Sequence, residues 1–284
     1  MPIWLKLFLF ALFFSLLAPG APSAKPLAVI APNQPTYDKP LGGDENKNAT
    51  AKREKELEAD MLLGLVDPFE YAGKDMDRPQ MFAVRIFNPS EDGFSEERRD
   101  LLGDLEEIRH LDTKAWGANA ALDKPGLYQF IMETKPWWDE EEGIFFRQQA
   151  KVIAPVLGVE EGWDRPVGQP LEITPLTRPF GLTAPALFSG VILKDGKPRA
   201  GSVVEMGYIN SPKQKVPTDW HRVFKTKTDE RGKFSFVLNR PGWWYCQVNA
   251  PASPLKGPDG QLKETQESSL LWLYVDAMDP LKTK

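Results

Sequence analysis

Hydrophobic and polar residues alternate over short stretches of this chain, and glycine or proline separates one stretch from the next. Side chains of a β-strand point to opposite faces in turn, so a period of two predicts strands that bury one face. Proline occupies 26 of the 284 positions, which disfavours long helices. The pattern predicts strands at Leu27–Ile30, Leu57–Glu70, Met81–Phe87, Ala115–Ala121, Leu127–Thr134, Phe145–Ile153, Leu171–Pro175, Phe188–Leu193, Ser202–Tyr208, Val223–Thr228, Lys233–Leu238, Trp243–Ala250 and Leu270–Val275.

Turn residues join several of these strands. Asp195-Gly196 and Asp229–Gly232 are typical of tight hairpin turns between alternating runs. Two longer polar stretches, 88–99 and 251–267, predict loops. Residues 154–185 are rich in proline and glycine and predict an extended connector that holds one strand.

Together these elements predict an all-β chain with two immunoglobulin-like β-sandwich domains in tandem. The N-terminal sandwich is expected over residues 57–175 and the C-terminal sandwich over residues 176–284. In the second domain, about seven strands over roughly 90 residues indicate a small Greek-key sandwich.

The N-terminus predicts export. Lys6 precedes an apolar run, Leu7–Ala18, and small residues follow it, which is the pattern of a secretory signal over residues 1–24. The run is shorter than the roughly 20 residues that a membrane-spanning helix needs, although an uncleaved anchor is the alternative. Residues 25–56 predict an extended arm and a flexible charged linker. We therefore expect a periplasmic protein without stable membrane insertion after signal cleavage.

Composition narrows the classes of function. The net charge is −5 with a pI near 5.3, and a nucleic-acid partner is not expected because its binding surface would show a basic excess. A single cysteine, Cys246, permits no internal disulfide and no multi-cysteine metal cluster. The sequence contains no phosphate-binding glycine loop, no Gly-x-Ser-x-Gly and no His-Glu-x-x-His, so we predict that the protein is not an enzyme.

The remaining candidate chemistry is sparse. His110 and His221 are the only histidines, and neither has a partner that the sequence identifies. The acidic run Asp139–Glu142 is typical of a solvated loop. The alternative is a hydrolase whose carboxylates Glu140 to Glu142 face one cleft about 5–10 Å apart.

Two further segments have both a structural and a functional interpretation. Residues 67–77 contain several oxygen groups, which suit hard cations, and a thioether, which suits softer cations. The structural interpretation is a polar loop that follows a strand. The paired aromatics Trp137-Trp138 and Trp243–Tyr245 suit stacking on a ligand if exposed and core packing if buried.

Several longer blocks resemble a known family. They include LLGLVDPFEYAGKDMDRP at 62–79, EGWD at 161–164, PLTRPFG at 175–181 and TDERGKFSFVLNRPGWW at 228–244. Over most of residues 60–276, the chain resembles the exported two-domain proteins labelled as the periplasmic component of ABC-type cobalt/nickel uptake systems. The second domain is also similar to transthyretin-like or carboxypeptidase-regulatory sandwiches through Gly190, Asp195–Pro198 and Thr228–Phe234.

The resemblance implies binding of a divalent metal, Ni²⁺ or Co²⁺, or contact with membrane transporter subunits. Imidazole is the usual nitrogen ligand of these metals, but two positions where the family carries histidine hold Asp67 and Ala72 in this chain. The remaining candidate ligands form an oxygen-dominated set. This set consists of Asp67, Glu70, Asp75, Met76, Asp77 and His110.

We therefore predict a periplasmic, non-enzymatic accessory protein that captures a divalent metal or contacts a membrane transporter. The alternative is an envelope β-sandwich that binds a carbohydrate or a protein strand and has no metal role. In that alternative the contacts come from Trp137, Trp138, Trp243 or Trp244.

Overall fold

The computed structural model describes residues 25–37, 57–90 and 93–278. The predicted signal, 1–24, and most of the predicted charged linker, 38–56, lie outside the described residues. No helix within the described ranges has the length and apolar content needed to cross a membrane.

The described residues form nineteen strands, numbered here in chain order. The first ten are β1 Leu27–Pro32, β2 Glu58–Asp67, β3 Ala72–Lys74, β4 Met81–Ser90, β5 Gly93–Asp100, β6 Glu106–His110, β7 Thr113–Ala121, β8 Gly126–Glu133, β9 Trp137–Asp139 and β10 Ile144–Val156. The others are β11 Leu171–Pro175, β12 Leu182–Thr183, β13 Ala186–Lys194, β14 Lys197–Pro198, β15 Val203–Tyr208, β16 Phe224–Lys227, β17 Lys233–Leu238, β18 Gly242–Lys256 and β19 Leu262–Asp276. Two single turns of 3₁₀ helix occupy Leu102–Asp104 and Asp219–His221.

Each strand predicted from the alternation is confirmed, but the two predicted polar loops were wrong. The stretch 88–99 holds the end of β4 and most of β5, which pair with each other. The stretch 251–267 holds the far ends of β18 and β19, which continue as an antiparallel ribbon. In both places most side chains on the two faces are exposed, so the residues show no alternation of hydrophobic and polar types.

The strands form three sheets. The first has the order β1-β2-β7-β6, with β3 beside β2. The second is long, in the order β16-β15-β18-β19-β10-β8-β4-β5. In the third, β13 pairs with β11, β14 and β17.

The long sheet is shared by two packed cores. One part of the long sheet packs against the first sheet, and another part packs against the third sheet. This packing confirms the all-β, sandwich type of fold. β19 serves both cores, because its side chains alternate between the two faces. Trp272 points into the first core, while Leu271 and Leu273 point into the second.

The two halves meet where β10 runs parallel to β19, with partners from Phe145–Thr265 to Val152–Trp272. A parallel pair cannot be joined by a short turn, and more than a hundred residues separate these strands in the chain. The two sandwiches therefore share one continuous sheet.

The N-terminal segment is part of the first core. β1 pairs with β2 and buries five of its six residues. Trp272 Nε1 donates a hydrogen bond to the Ala28 carbonyl at 2.9 Å, so β1 is also fixed to the long sheet below it. The predicted arm thus contributes a core strand, Leu27–Pro32.

Candidate functional site

A cleft of about 510 Å³ lies where the first sheet ends and leaves part of the long sheet uncovered. Its floor consists of side chains from four neighbouring strands, β10, β19, β18 and β15. The start of β1, the loop after β2 and the segment from 219 to 225 form its sides.

The floor is polar because strand alternation places amides and hydroxyls on this face. Gln148, Ser268 and Asn249 form one row across β10, β19 and β18, since Gln148 pairs with Ser268 and Ser268 pairs with Asn249. Gln247 and Glu205 form a second row across β18 and β15. The alternate residues of β18, such as Cys246 and Val248, point into the second core instead.

Both polar atoms of the Gln148 amide bond to the N-terminal segment. Its Oε1 accepts a hydrogen bond from the Ala28 N–H at 2.5 Å, and its Nε2 donates to the Pro26 carbonyl at 3.1 Å. The side chain therefore holds the start of β1 along one side of the cleft. Lys25, just before β1, pairs with Glu142 at 2.9 Å and lies 4.5 Å from the centre of the Phe146 ring.

Arg222 organises the opposite side. Its guanidinium lies 2.6 Å from Glu70 and 2.8 Å from Asp219, and 4.7 Å from the centre of the Phe69 ring. These contacts join the loop after β2, in the first half of the chain, to the 3₁₀ turn at 219–221, in the second half.

Asp67 closes the turn that follows β2. Its Oδ1 accepts hydrogen bonds from the N–H groups of Phe69 at 2.9 Å and Glu70 at 3.0 Å. Burial outweighs these bonds and raises the pKa of Asp67 above its ordinary value. Burial, with the nearby charges of Glu205 and Asp67, also raises the pKa of the Tyr245 phenol, which stays a hydrogen-bond donor at neutral pH.

The six residues proposed as metal ligands do not converge on one centre. Among the described residues, no group of three or more His, Cys, Asp and Glu side chains is placed to hold a metal ion. Asp67 lines the cleft, and Glu70 pairs with Arg222, as described above.

The other four candidates lie elsewhere. Asp75 Oδ1 accepts a hydrogen bond from the Lys114 N–H at 2.7 Å, and Asp77 lies 3.5 Å from Lys114 Nζ. Met76 is 1% exposed within the first core. His110 is half-buried at the end of β6, and burial lowers its pKa. As placed, the six residues form no single nickel or cobalt centre. Metal binding by the protein stays a prediction.

The tryptophans named from the sequence are packed. Trp244 is fully buried, and Trp243 lies 5.4 Å from the ring of Tyr274. Trp137 and Trp138 are half-buried against Phe146 and Phe145. The glutamates of the acidic run are exposed in the turn between β9 and β10, as a solvated loop requires.

Trp220 is an exposed aromatic residue that no sequence pattern distinguished. It is 89% exposed on the 3₁₀ turn at the side of the cleft. On its other side lies an apolar groove of about 610 Å³ between the edge strands β16 and β17, where Leu187 and Val237 are also exposed. The floor amides were missed as well, although the alternation of Gln247 and Asn249 with Cys246 and Val248 marks a polar face on a buried strand.

Comparisons with known proteins identify a family without an assigned function. The family described as "Domain of unknown function (DUF4198)" matches residues 45–251. No curated protein matches the chain.

Three of the similar solved structures have low sequence identity to this chain and low TM-scores. A trypsin-activated alpha-2-macroglobulin from Escherichia coli is 11% identical, with 89% of this chain and 16% of that chain covered and a TM-score of 0.23. Red sea bream transglutaminase is 9% identical, with coverages of 91% and 32% and a TM-score of 0.21. The tandem V-type regions of VCBP3, a v-region-containing chitin binding protein, are 9% identical, with coverages of 86% and 98% and a TM-score of 0.20. This chain thus spans a small part of the first two proteins, and likenesses at these scores support no argument about function.

Proposed function

Since the chain belongs to the DUF4198 family, a family without an assigned function, we propose its function from the geometry of the cleft. We propose a non-enzymatic, exported binding protein that holds a small ligand between its two sandwiches. The observation that carries this proposal is the floor of the cleft, where the side-chain amides of neighbouring strands line a cavity of about 510 Å³. Pockets of this size with a few converging polar groups are the usual form of a ligand site.

The lining supports binding rather than catalysis. It contains neither histidine nor cysteine among the described residues. Its acidic groups are already engaged: Glu205 lies 2.6 Å from Lys225, Asp219 pairs with Arg222, and Asp67 holds the backbone of its own turn. A general base needs a free group within reach of its substrate, so we expect no turnover.

A ligand panel tests the proposal. The full chain, purified after export from cells, is heated in the presence of neutral oligosaccharides, amino acids, short neutral peptides, NiCl₂ or CoCl₂. A ligand at about 100 times its Kd adds about 2.7 kcal/mol to the free energy of unfolding, so at least one class is expected to raise the melting temperature.

Two variants locate the site. Gln266→Trp places a large side chain on the floor of the cleft and is expected to abolish the shift. Gln261→Trp changes the same residue type in the exposed turn between β18 and β19 and should leave it intact. The proposal fails if no class stabilises the protein, or if both variants respond alike.

Capture of nickel or cobalt for transporter subunits is a second proposal, which rests on the sequence resemblance. Of the six candidate ligands, Asp67 is the one that lines the cleft. Calorimetric titration with NiCl₂ and CoCl₂ tests it, because binding tighter than about 1 mM, worth about 4 kcal/mol, should be lost in Asp67→Asn. If neither metal binds, the metal-capture role fails and contact with transporter subunits is the role left to test.

A further inference from the structure

The charged groups that line the cleft cancel one another. Three are basic and three are acidic: Lys25, Arg222, Lys225, Asp67, Glu205 and Asp219. Each basic group already lies within 3 Å of a carboxylate oxygen. An anionic ligand would have to break one of these pairs or stay unpaired in a partly buried site, and an unpaired buried charge is costly. A cationic ligand would find only Asp67, whose Oδ1 already accepts two backbone N–H groups. The site therefore favours a neutral ligand.

The floor offers hydrogen bonds that the protein leaves unmade. The amide of Gln266 has no hydrogen-bond partner among the described residues, and Gln247 uses only its Nε2, on Asn249 Oδ1 at 3.0 Å. Amides and hydroxyls both donate and accept. They match a ligand whose groups do the same, as sugar hydroxyls do.

One wall offers a bare aromatic face. The rings of Phe69, Phe146 and Tyr208 each have a cation over them, at 4.7, 4.5 and 4.1 Å from the ring centre. Trp220 has no such neighbour among the described residues and is 89% exposed. An indole is a broad apolar surface with a polar N–H at its edge, which suits the C–H face of a pyranose ring.

The floor also argues against recognition of a peptide as an added strand. β10, β19, β18 and β15 are consecutive strands in the interior of the long sheet. Their backbone groups pair with one another, so this surface presents side chains rather than the free backbone edge that strand addition requires.

From these four observations we infer that the cleft binds a neutral carbohydrate. The floor residues Gln247, Asn249 and Gln266 would hydrogen-bond its hydroxyls, and Trp220 would stack on one ring. The inference rests on the proposed function, because it names the ligand class of the same cleft.

Titration with neutral oligosaccharides tests the inference. An array of gluco-, manno- and galacto-oligosaccharides and chitooligosaccharides identifies the best binder for the full chain, and calorimetry measures its Kd. Trp220→Ala is expected to weaken binding about tenfold or more, and Trp220→Phe to restore part of it. The melting temperature should not move in either variant, since this side chain is almost fully exposed. Leu187→Ala, a change at an exposed apolar residue of the adjacent groove, is the matched control and should bind as the wild type does.

The possible outcomes distinguish failure of the carbohydrate inference from failure of the proposal that the cleft is a ligand site. If no neutral oligosaccharide binds, or if Trp220→Ala binds one as tightly as the wild type, the carbohydrate inference is wrong. If a neutral peptide or another class then binds and Gln266→Trp abolishes that binding, the cleft is still the ligand site. If nothing in the panel binds, both fail.

Discussion

The Nζ of Lys151 lies 2.6 Å from Oε1 of Glu172, and both side chains are 1% exposed. Lys151 belongs to β10 of the shared sheet and Glu172 to β11 of the third sheet. The Glu172 carboxylate also accepts hydrogen bonds from the N–H groups of Val167, Gly168 and Gln169 at 2.8 to 3.2 Å. The ion pair therefore fixes the connector between the sandwiches on the sheet that they share.

Removal of one partner should be costly. Lys151→Met leaves the Glu172 carboxylate buried without its countercharge, which typically costs about 3–5 kcal/mol of unfolding free energy. Denaturation in urea measures the loss, and Lys151→Met with Glu172→Gln should recover part of it. The control is Arg178→Met, which breaks the exposed pair with Glu160 and should cost about 0–1 kcal/mol. Equal losses in the two single variants would contradict this role of the buried pair.

Because β1 lies in the first core, a cavity made in this strand should destabilise the protein. Ile30 is fully buried, so Ile30→Ala should lower the free energy of unfolding by about 2–5 kcal/mol through lost burial and an internal cavity. Leu262→Ala removes a similar side chain that is 73% exposed and should change stability by less than about 0.5 kcal/mol. If the two substitutions cost the same, β1 does not belong to the folded core.

We expect Glu97 to make a contribution to stability that depends on pH. Hydrogen bonds from Arg99 and Lys124 lower the pKa of Glu97 from 4.5 to about 2. Because the pKa is lower in the folded state, the ionised carboxylate stabilises the fold above about pH 4.5, and this contribution is lost as the pH falls toward 2. Glu97→Gln should be less stable than the wild type at neutral pH, and the difference should shrink on acidification.

Unfolding at a series of pH values measures this effect. Glu264→Gln, at an exposed position without an ion pair among the described residues, is the control and should show no such trend. Added salt should also reduce the effect, since the Glu97 group is near the surface. A constant difference between wild type and Glu97→Gln from neutral pH to pH 2 would rule out the assigned pKa shift.

The floor of the cleft depends on a glycine. A Cβ at Gly207 would lie 2.5 Å from Tyr245 Oη and 2.7 Å from its ring. The Tyr245 ring is held in the first core against Trp272, with the ring centres 5.6 Å apart. Gly207→Ala should therefore lower the free energy of unfolding by about 1–3 kcal/mol through overpacking.

The matched control is Gly103→Ala, where a Cβ meets nothing within 4 Å. The two proteins are compared by thermal and urea denaturation. If alanine at 207 costs no more than alanine at 103, the Tyr245 ring is free to move away, and the contact is not a fixed part of the floor.

Local sequence predicted the strands and turns because their causes are local. Asp229 shows this: its Oδ1 accepts hydrogen bonds from the N–H groups of Arg231 and Lys233, two and four residues ahead. The same locality explains the two wrong loops. The ends of β18 and β19 are stabilised by each other rather than by a buried face, so their own residues carry no alternating pattern.

The candidate site could be predicted only in part. Asp67 was predicted as a candidate metal ligand, and it lines the cleft. Asp75 and Asp77 were grouped with Asp67 because they are near it along the chain. In the structure β3 separates Asp67 from these two residues, and both of them contact Lys114. Trp220 was not distinguished from the other tryptophans, because exposure depends on what packs over a side chain.

The division of this protein into short strands follows from local sequence, since the period of alternation and the turn residues act over a few positions. The choice of neighbouring strands, in contrast, depends on contacts between residues that are far apart in the chain. Gln148 and Ser268 lie side by side because β10 and β19 pair in parallel across more than a hundred residues. Alternation assigns a side chain to a face but names no partner for its strand, so the shared sheet and its cleft exist only in the folded chain.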